Sequence, residues 1–363
     1  MSQSKQHVAN PPGEDGTAPA PAVSRGGMAA RLPRGRREVA ELFFRFQSLF
    51  GLAVVVLLAI IFSPVRDGDV IFLDPTNLGN IIRAVSEIGI LAVGMTFVII
   101  AGGIDLSVGS VLGLAAVGTA TLLTKSDMGL VTGLGTVLTI GLLFGLVQGV
   151  ITAKVKLQAF IVTLAGLQAA RGLARIWSDN QGVALTYGNA PQQAPPAFSI
   201  MTESIFGFLP FPAFLFLVIG FLGIWMLRTT TFARHVYAIG SNEKAARLSG
   251  IPVDRVKIAV FGISGLLAAF AGIVHAGQLN LGNPNAGLTY ELDAIAAVVI
   301  GGTSLFGGRG SMVGSIGGAL MLGVLDNILT LHGISENVQL VVTALVIVLA
   351  VALQQLRTST TGR

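Results

Sequence analysis

The sequence has no cysteine, which excludes disulfides, thiolate nucleophiles and cysteine-ligated metals. Its four histidines are scattered and offer no metal-ligand spacing, so no metal site is expected. Charge is scarce too: Asp, Glu, Lys and Arg make up 11% of the 363 residues, where an ordinary soluble domain carries about 25%. The surface of a soluble fold is missing. No Gly-x-x-x-x-Gly-Lys-Ser/Thr phosphate loop occurs and no Ser-His-Asp spacing survives inspection, so the chain is expected neither to bind nor hydrolyse ATP, nor to be an enzyme.

Apolar sequence fills the chain instead. With 52% hydrophobic residues, 47 Gly and a mean hydropathy of +0.77, it reads as an all-α polytopic membrane protein. The net charge of +5 resides in loops and at the N-terminus, which fits membrane orientation and argues against nucleic acid as a partner. Ten apolar stretches approach the roughly 17–25 residues that cross a hydrocarbon layer. They are 45–63, 80–101, 107–124, 129–152, 158–175, 205–227, 256–276, 291–303, 312–331 and 335–355. The eighth is too short for a span and is followed by Gly301, Gly302, Gly307 and Gly308, which predicts a half-helix continued by irregular backbone along a pathway.

Residues 1–41, rich in Pro, Gly, Ser and Ala, are expected to form a disordered cytoplasmic arm, and no cleaved signal peptide is expected. The transmembrane domain is expected over 42–357 and a short cytoplasmic tail over 358–363. Basic residues then orient the chain: both termini, Lys154, Lys156, the stretch 229–255 and Arg309 fall on the cytoplasmic side. The connection 66–74, the polar stretch 178–203 and Asn280–Glu291 fall outside.

Two halves are related. Val98-Ile99-Ile100-Ala101-Gly102-Gly103 before Val108-Gly109-Ser110 recurs as Val298-Val299-Ile300-Gly301-Gly302 before Val313-Gly314-Ser315, with a longer insert in the second copy. Gly102, Gly103, Asp105, Ser107, Gly301, Gly302 and Thr303 are therefore candidates for a translocation path, the Gly pairs letting two backbones approach at a dimer-related channel. Asp105 is also placed to cap a helix starting at Leu106. Glu87, Arg171, Arg175, Asp293 and Asp326 lie toward the outer half of apolar segments, where they would form a polar entrance for a hydroxyl-rich solute or pair between helices. Arg83 and Glu87, one turn apart, can pair. His275 reads as a hydrogen-bonded interfacial residue and not a base.

One charged insert stands between spans. Ser241 or Asn242 can cap a helix of about two turns, Glu243 suits its first turn, Gly250 permits a left-handed exit and Pro252 stops it. So short a helix does not hold itself in water, and it predicts docking into a partner's groove, with Glu243 and Ala246 facing that partner.

Gly240-x-Asn242-x-x-Ala245-Ala246-x-x-Ser249-Gly250-Ile251-x-Val253, with Ala101–Gly109 upstream and Gly301–Gly308 downstream, resembles the ribose-type sugar ABC importer permease family. The resemblance runs from about residue 42 to the C-terminus. It implies a type II importer-like fold, a permease homodimer in a bacterial inner membrane, a cytoplasmic ATPase subunit that holds ATP and Mg, and an external substrate-binding protein. This chain itself would bind no cofactor, and its cargo would be a small neutral sugar. Gly240, Asn242, Glu243, Ala245, Ala246, Ser249, Gly250 and Val253 would couple it to the ATPase. A related importer for nucleosides or branched-chain amino acids differs only in cargo. A secondary transporter driven by an ion gradient through Glu87 or Asp326 has no use for a cytoplasmic docking helix.

Overall fold

The computed structural model describes residues 47–361 apart from Asp127 and Phe206. The expected N-terminal arm, 1–41, lies outside the described residues. Helices follow one another as α1 (Gln47–Ile61), α2 (Pro75–Ile100), α3 (Val108–Ala120), α4 (Leu130–Val150), α5 (Ala159–Trp177) and α6 (Phe211–Thr229). Then come α7 (Thr231–Ser241), α8 (Glu243–Leu248), α9 (Val253–Leu279), α10 (Tyr290–Ile300), α11 (Met312–Leu331) and α12 (Glu336–Thr361). π turns over Thr121–Lys125 and Ile151–Val155 lengthen α3 and α4.

Each of the ten apolar stretches holds a helix. Seven are long and apolar enough to cross a membrane: α2, α3 and α4 with their π turns, α5, α6, α9 and α11. The outermost pair, α1 and α12, contain shorter apolar runs, Phe50–Ile61 and Asn337–Leu349. The half-helix is α10, whose 11 residues rise about 16 Å, half of the hydrocarbon thickness. Helix α12 continues through Thr361, so the expected tail is helical for most of its length.

Glycine decides which helices are central. Gly141, Gly145 and Gly149, four residues apart on α4, meet the backbone of Gly265, Phe261 and Ile258 on α9 so closely that a Cβ would strike it. Buried residues make up 78%, 89% and 67% of the apolar windows of α2, α3 and α9, against 22% and 28% in α4 and α6. The first three form the interior, while α4 and α6 turn residues such as Leu143, Val147 and Phe221 outward. Thr96 Oγ1 donates to Ser315 Oγ at 2.8 Å, joining α2 to α11 inside the bundle.

One end of the bundle carries short strand pairs. Val65–Arg66 pairs with Asp69–Val70, Val183–Ala184 with Leu281–Gly282, and Ser204–Ile205 with Leu209–Pro210. At this end Asp74 caps α2 by accepting from Thr76 N at 2.8 Å and Asn77 N at 3.3 Å. Those bonds, the Thr76 backbone N–H foremost, hold its carboxyl below the usual range.

Two expectations are corrected here. Asn280–Glu291 is not a simple connection lying wholly outside the bundle: Leu281–Gly282 pairs with Val183–Ala184, and after Gly282 the chain turns back along α3, with Ala286 O beside Gly113 and Gly287 O beside Gly109. The small residues of α3 leave a groove for bare backbone, whereas Asn, Pro and Gly read in sequence as an aqueous loop. Nor does Asp105 cap a helix at Leu106, because α3 begins at Val108 and its N-cap position is Ser107.

Candidate functional site: three motifs in one knot

The three sequence motifs, remote along the chain, meet at the end of the bundle where α2 finishes. Helix α2 ends in a Schellman turn: Gly102 N–H bonds Ile99 O and Gly103 N–H bonds Val98 O, each at 2.9 Å, with Gly102 at φ +81°. Helix α10 ends identically. Gly302 N–H bonds Val299 O at 2.9 Å and Thr303 N–H bonds Val298 O at 3.1 Å, with Gly302 at φ +90°. The internal repeat is thus present as a repeated turn.

Between these turns sits the end of α7, a helix that sequence reading missed although Thr230 caps it and Ala233, Val236 and Ile239 form a buried stripe. Gly308 N–H donates to Ile100 O at 2.9 Å. Gly240 lies against both groups, and a Cβ there would overlap Ile100 O and stand 2.5 Å from Gly308 N. Tyr237 Oη donates to Gly310 O at 2.9 Å, and burial raises its phenol above the ordinary value, which keeps the donor protonated. Ile100, Gly240 and Gly308 therefore make one knot of backbone.

On this knot stands α8. Asn242 caps it by accepting from Ala245 N at 3.0 Å, and a Schellman turn closes it, with Gly250 at φ +81°. Glu243 binds Lys257 at 2.6 Å and Arg247 at 3.5 Å, while Arg247 binds Asp254 at 2.7 Å. These ions bracket the helix to the first turns of α9. The expectation that Ala246 faces a partner is corrected: it is 5% exposed and packs in the cluster of Val236, Val253 and Val256. Leu248, 90% exposed, points outward instead, as do Lys244, Ala245 and Ser249. Six helical residues give too little periodicity to tell the two faces apart. Beneath α8, Gly102, Gly103, Lys156, Gln158, Glu243 and Lys257 line a cleft of 410 Å³.

The other path candidates have definite places. Asp105 is 1% exposed and accepts from Ser107 N (2.9 Å), Ser107 Oγ (2.6 Å) and Ser264 Oγ (2.7 Å), while Gln148 Nε2 donates to Ser107 Oγ at 2.9 Å. It ties the first turn to α9 and α4. Thr303 is fully buried. Gly301 approaches the backbone of Gly314 on α11, while Gly302 has open space around it.

Four of the five entrance candidates are linked by short electrostatic steps, Arg171 to Arg175 and Glu291, and Asp293 to Glu291 and Asp326, while Glu87 takes its partner on α9. Glu87 pairs with His275 at 2.8 Å, both nearly buried, and not with Arg83, whose Nε has no partner among the described residues. Sequence spacing could not foresee a partner on α9. Arg171 Nη1 donates to Pro284 O and Ala286 O, both at 2.7 Å, and Arg175 Nη2 to Asn285 Oδ1 at 2.9 Å. Asp293, on α10, lies within electrostatic reach of Asp326, which lines a cavity of 250 Å³ with Asn80 and Asn327.

Comparison with known proteins defines the class. Residues 77–351 match the family described as the permease component of the branched-chain amino acid transport system. The ribose import permease protein RbsC of Escherichia coli K12 is 40% identical over 336 residues, covering 89% of this chain and 98% of that protein. RbsC of Haemophilus influenzae is 41% identical over 300 residues, covering 83% and 90%. The xylose transport system permease protein XylH of Haemophilus influenzae is 35% identical over 353 residues, covering 83% and 93%. No solved structure gives a significant match. The chain belongs to the permease family of ATP-binding cassette importers. It is accordingly a multi-pass membrane component of a transporter and not a catalytic enzyme.

Proposed function

We propose that this chain, paired with a second copy, forms the inner-membrane path for a small neutral sugar, a pentose such as ribose, handed over by an external binding protein. A separate ATPase supplies the energy, binds ATP and Mg, and docks on α8. The observation that carries this reading is α8 itself, capped at both ends, bracketed by ions to α9 and presenting Leu248 and Lys244 outward from the knot. Its charged surroundings support a cytoplasmic assignment of that end, and with it of both termini, by the positive-inside tendency. Asp105, Ser107 and Thr303 serve the path by holding its walls, Asp105 as the tie between the first turn and α9.

The test is uptake by proteoliposomes containing the complete importer. Ribose uptake should require ATP and the binding protein and should survive collapse of proton and sodium gradients. Uptake by this subunit alone, abolished by an ionophore, would replace the reading with ion-coupled transport through Glu87 or Asp326. Competition by nucleosides or branched-chain amino acids, with no effect of pentoses, would change the cargo alone. Leu248→Glu should lower uptake and substrate-stimulated ATPase activity together at normal membrane insertion, and unchanged ATPase stimulation would remove α8 from the docking site.

A further inference from the structure

The limb between α9 and α10 carries an observation that the import reading leaves unused. From Asn283 to Thr289 the chain is neither helix nor strand, yet it lies beside α3, the most enclosed span. A Cβ on Gly282 would stand 2.7 Å from Ala116 O, and one on Gly113 would stand 2.8 Å from Ala286 O. Irregular backbone at this depth must be buried in protein or must line water, because hydrocarbon offers it no hydrogen bonds.

One edge of the limb is buried. Arg171, 6% exposed, gives both Pro284 O and Ala286 O a hydrogen bond, while Arg175, itself exposed, engages Asn285 Oδ1 at the open side. The opposite edge is open: Asn285, Leu288 and Thr289 are all exposed. Thr289 has φ +70° and ψ −8°, a left-handed conformation that β-branched residues rarely adopt. Such residues persist where their surroundings over-determine them, and they cluster at ligand clamps and switches. An amide and a hydroxyl on irregular backbone do not rest against lipid tails.

We propose that Asn285 and Thr289 line an aqueous path and hydrogen-bond a small, neutral, hydroxyl-rich solute as it passes. With its oxygen held by Arg175, Asn285 presents its amide hydrogens, and the Thr289 hydroxyl both donates and accepts. Contacts so few, on one open edge, release their ligand readily. The choice of solute rests on the import reading, whereas the wetness of the edge does not.

The absence of native cysteine makes the test clean. Asn285→Cys, Leu288→Cys and Thr289→Cys each introduce one thiol per copy of this chain, whose labelling is read on the isolated subunit band after reaction of the complete importer reconstituted in liposomes with its ATPase and binding protein. A charged, membrane-impermeant methanethiosulfonate should modify all three, and Val147→Cys, on the outward face of α4, should stay unmodified. Ribose with the binding protein should slow modification of Asn285→Cys and Thr289→Cys several-fold. Thr289→Val, which keeps the branched shape, should raise KM for uptake about fivefold, the size of one lost hydrogen bond. Unreactive thiols, or rates that ribose leaves unchanged, overturn the proposal; if Thr289→Cys fails to assemble, Asn285→Cys decides it. Wild-type vesicles run in parallel separate the two readings. Absent ATP-dependent ribose uptake refutes the cargo, while normal uptake with unreactive thiols refutes this inference alone.

Discussion

At the end of α2 and the end of α10 the chain makes the same turn, with a positive-φ glycine and the same two backbone hydrogen bonds, but the two turns are secured in different ways. Past Gly103 the chain returns to α3 through Ile104–Ser107, a link fastened inside the bundle. Thr163 Oγ1 donates to Ile104 O at 3.0 Å, and Asp105 gathers Ser107 and Ser264. Past Gly302 the longer link Thr303–Ser311 reaches out of its own half, to Ile100 through Gly308 and to Tyr237 through Gly310. The first turn is fixed to the bundle, and the second is fixed to the first and to the foot of α8. One of the two similar turns is thus anchored in the bundle, and the other bridges to the first and to the segment that leads into α8.

The largest effect should come from severing the bridge. Gly240→Leu places a side chain on the backbone of Ile100 and Gly308, neither of which is a flexible tip, and overpacking of this kind costs about 1–3 kcal/mol or more. Uptake should be nearly abolished and the melting temperature of the detergent-solubilised subunit should fall. Wild-type uptake in that variant would show that the turns work independently.

Loosening the anchor comes next. Asp105→Ala strips the acceptor from two buried hydroxyls, at about 1–3 kcal/mol for each group left unsatisfied, and should lower thermal stability with uptake falling in proportion. Asp105→Asn preserves the shape and should recover part of the loss, and a variant as weak as Asp105→Ala would point to charge as the requirement.

Gly102→Ala and Gly302→Ala compare the turns directly. A Cβ at either glycine meets no close neighbour, so each substitution should cost about 1–2 kcal/mol from the left-handed backbone alone. Equal falls in melting temperature support equivalent turns; a loss confined to Gly102 breaks the equivalence. Tyr237→Phe should have the smallest effect, about 1 kcal/mol for one hydrogen bond to the bridging link, seen as a slight drop in stability with uptake largely kept.

The apolar runs, the half-helix at 290–300 and the caps of α8 were legible because each is a local signal: length, glycine spacing, or a capping residue and its exit. Relations between distant segments were not. Glu87 has a plausible partner one turn away in Arg83, yet His275 on α9 takes it. Residues 283–289 have the composition of a surface loop, and only the small side chains of α3 make room for them inside. Ala246 and Leu248 sit on a helix too brief for periodicity to separate its faces, so burial had to come from the packing of α7 and α9. The entrance residues were found one by one, but their assembly depends on helix rotation, which composition does not encode.

The Ile100–Gly308 hydrogen bond also orders the birth of the protein. When α2 leaves the ribosome and enters the bilayer, the residue that will close its last carbonyl has not been translated, and neither has Ser264, which will reach Asp105. The interior of α2, α3 and α9 therefore closes late, after several peripheral helices have already been inserted. Helix α10 is too short to integrate by itself and must enter against partners already in place. A chain interrupted before Ser264 carries both an open helix end at Ile100 and a carboxylate that lacks its partner on α9, whereas one interrupted between Ser264 and Gly308 lacks only the closure of the helix end.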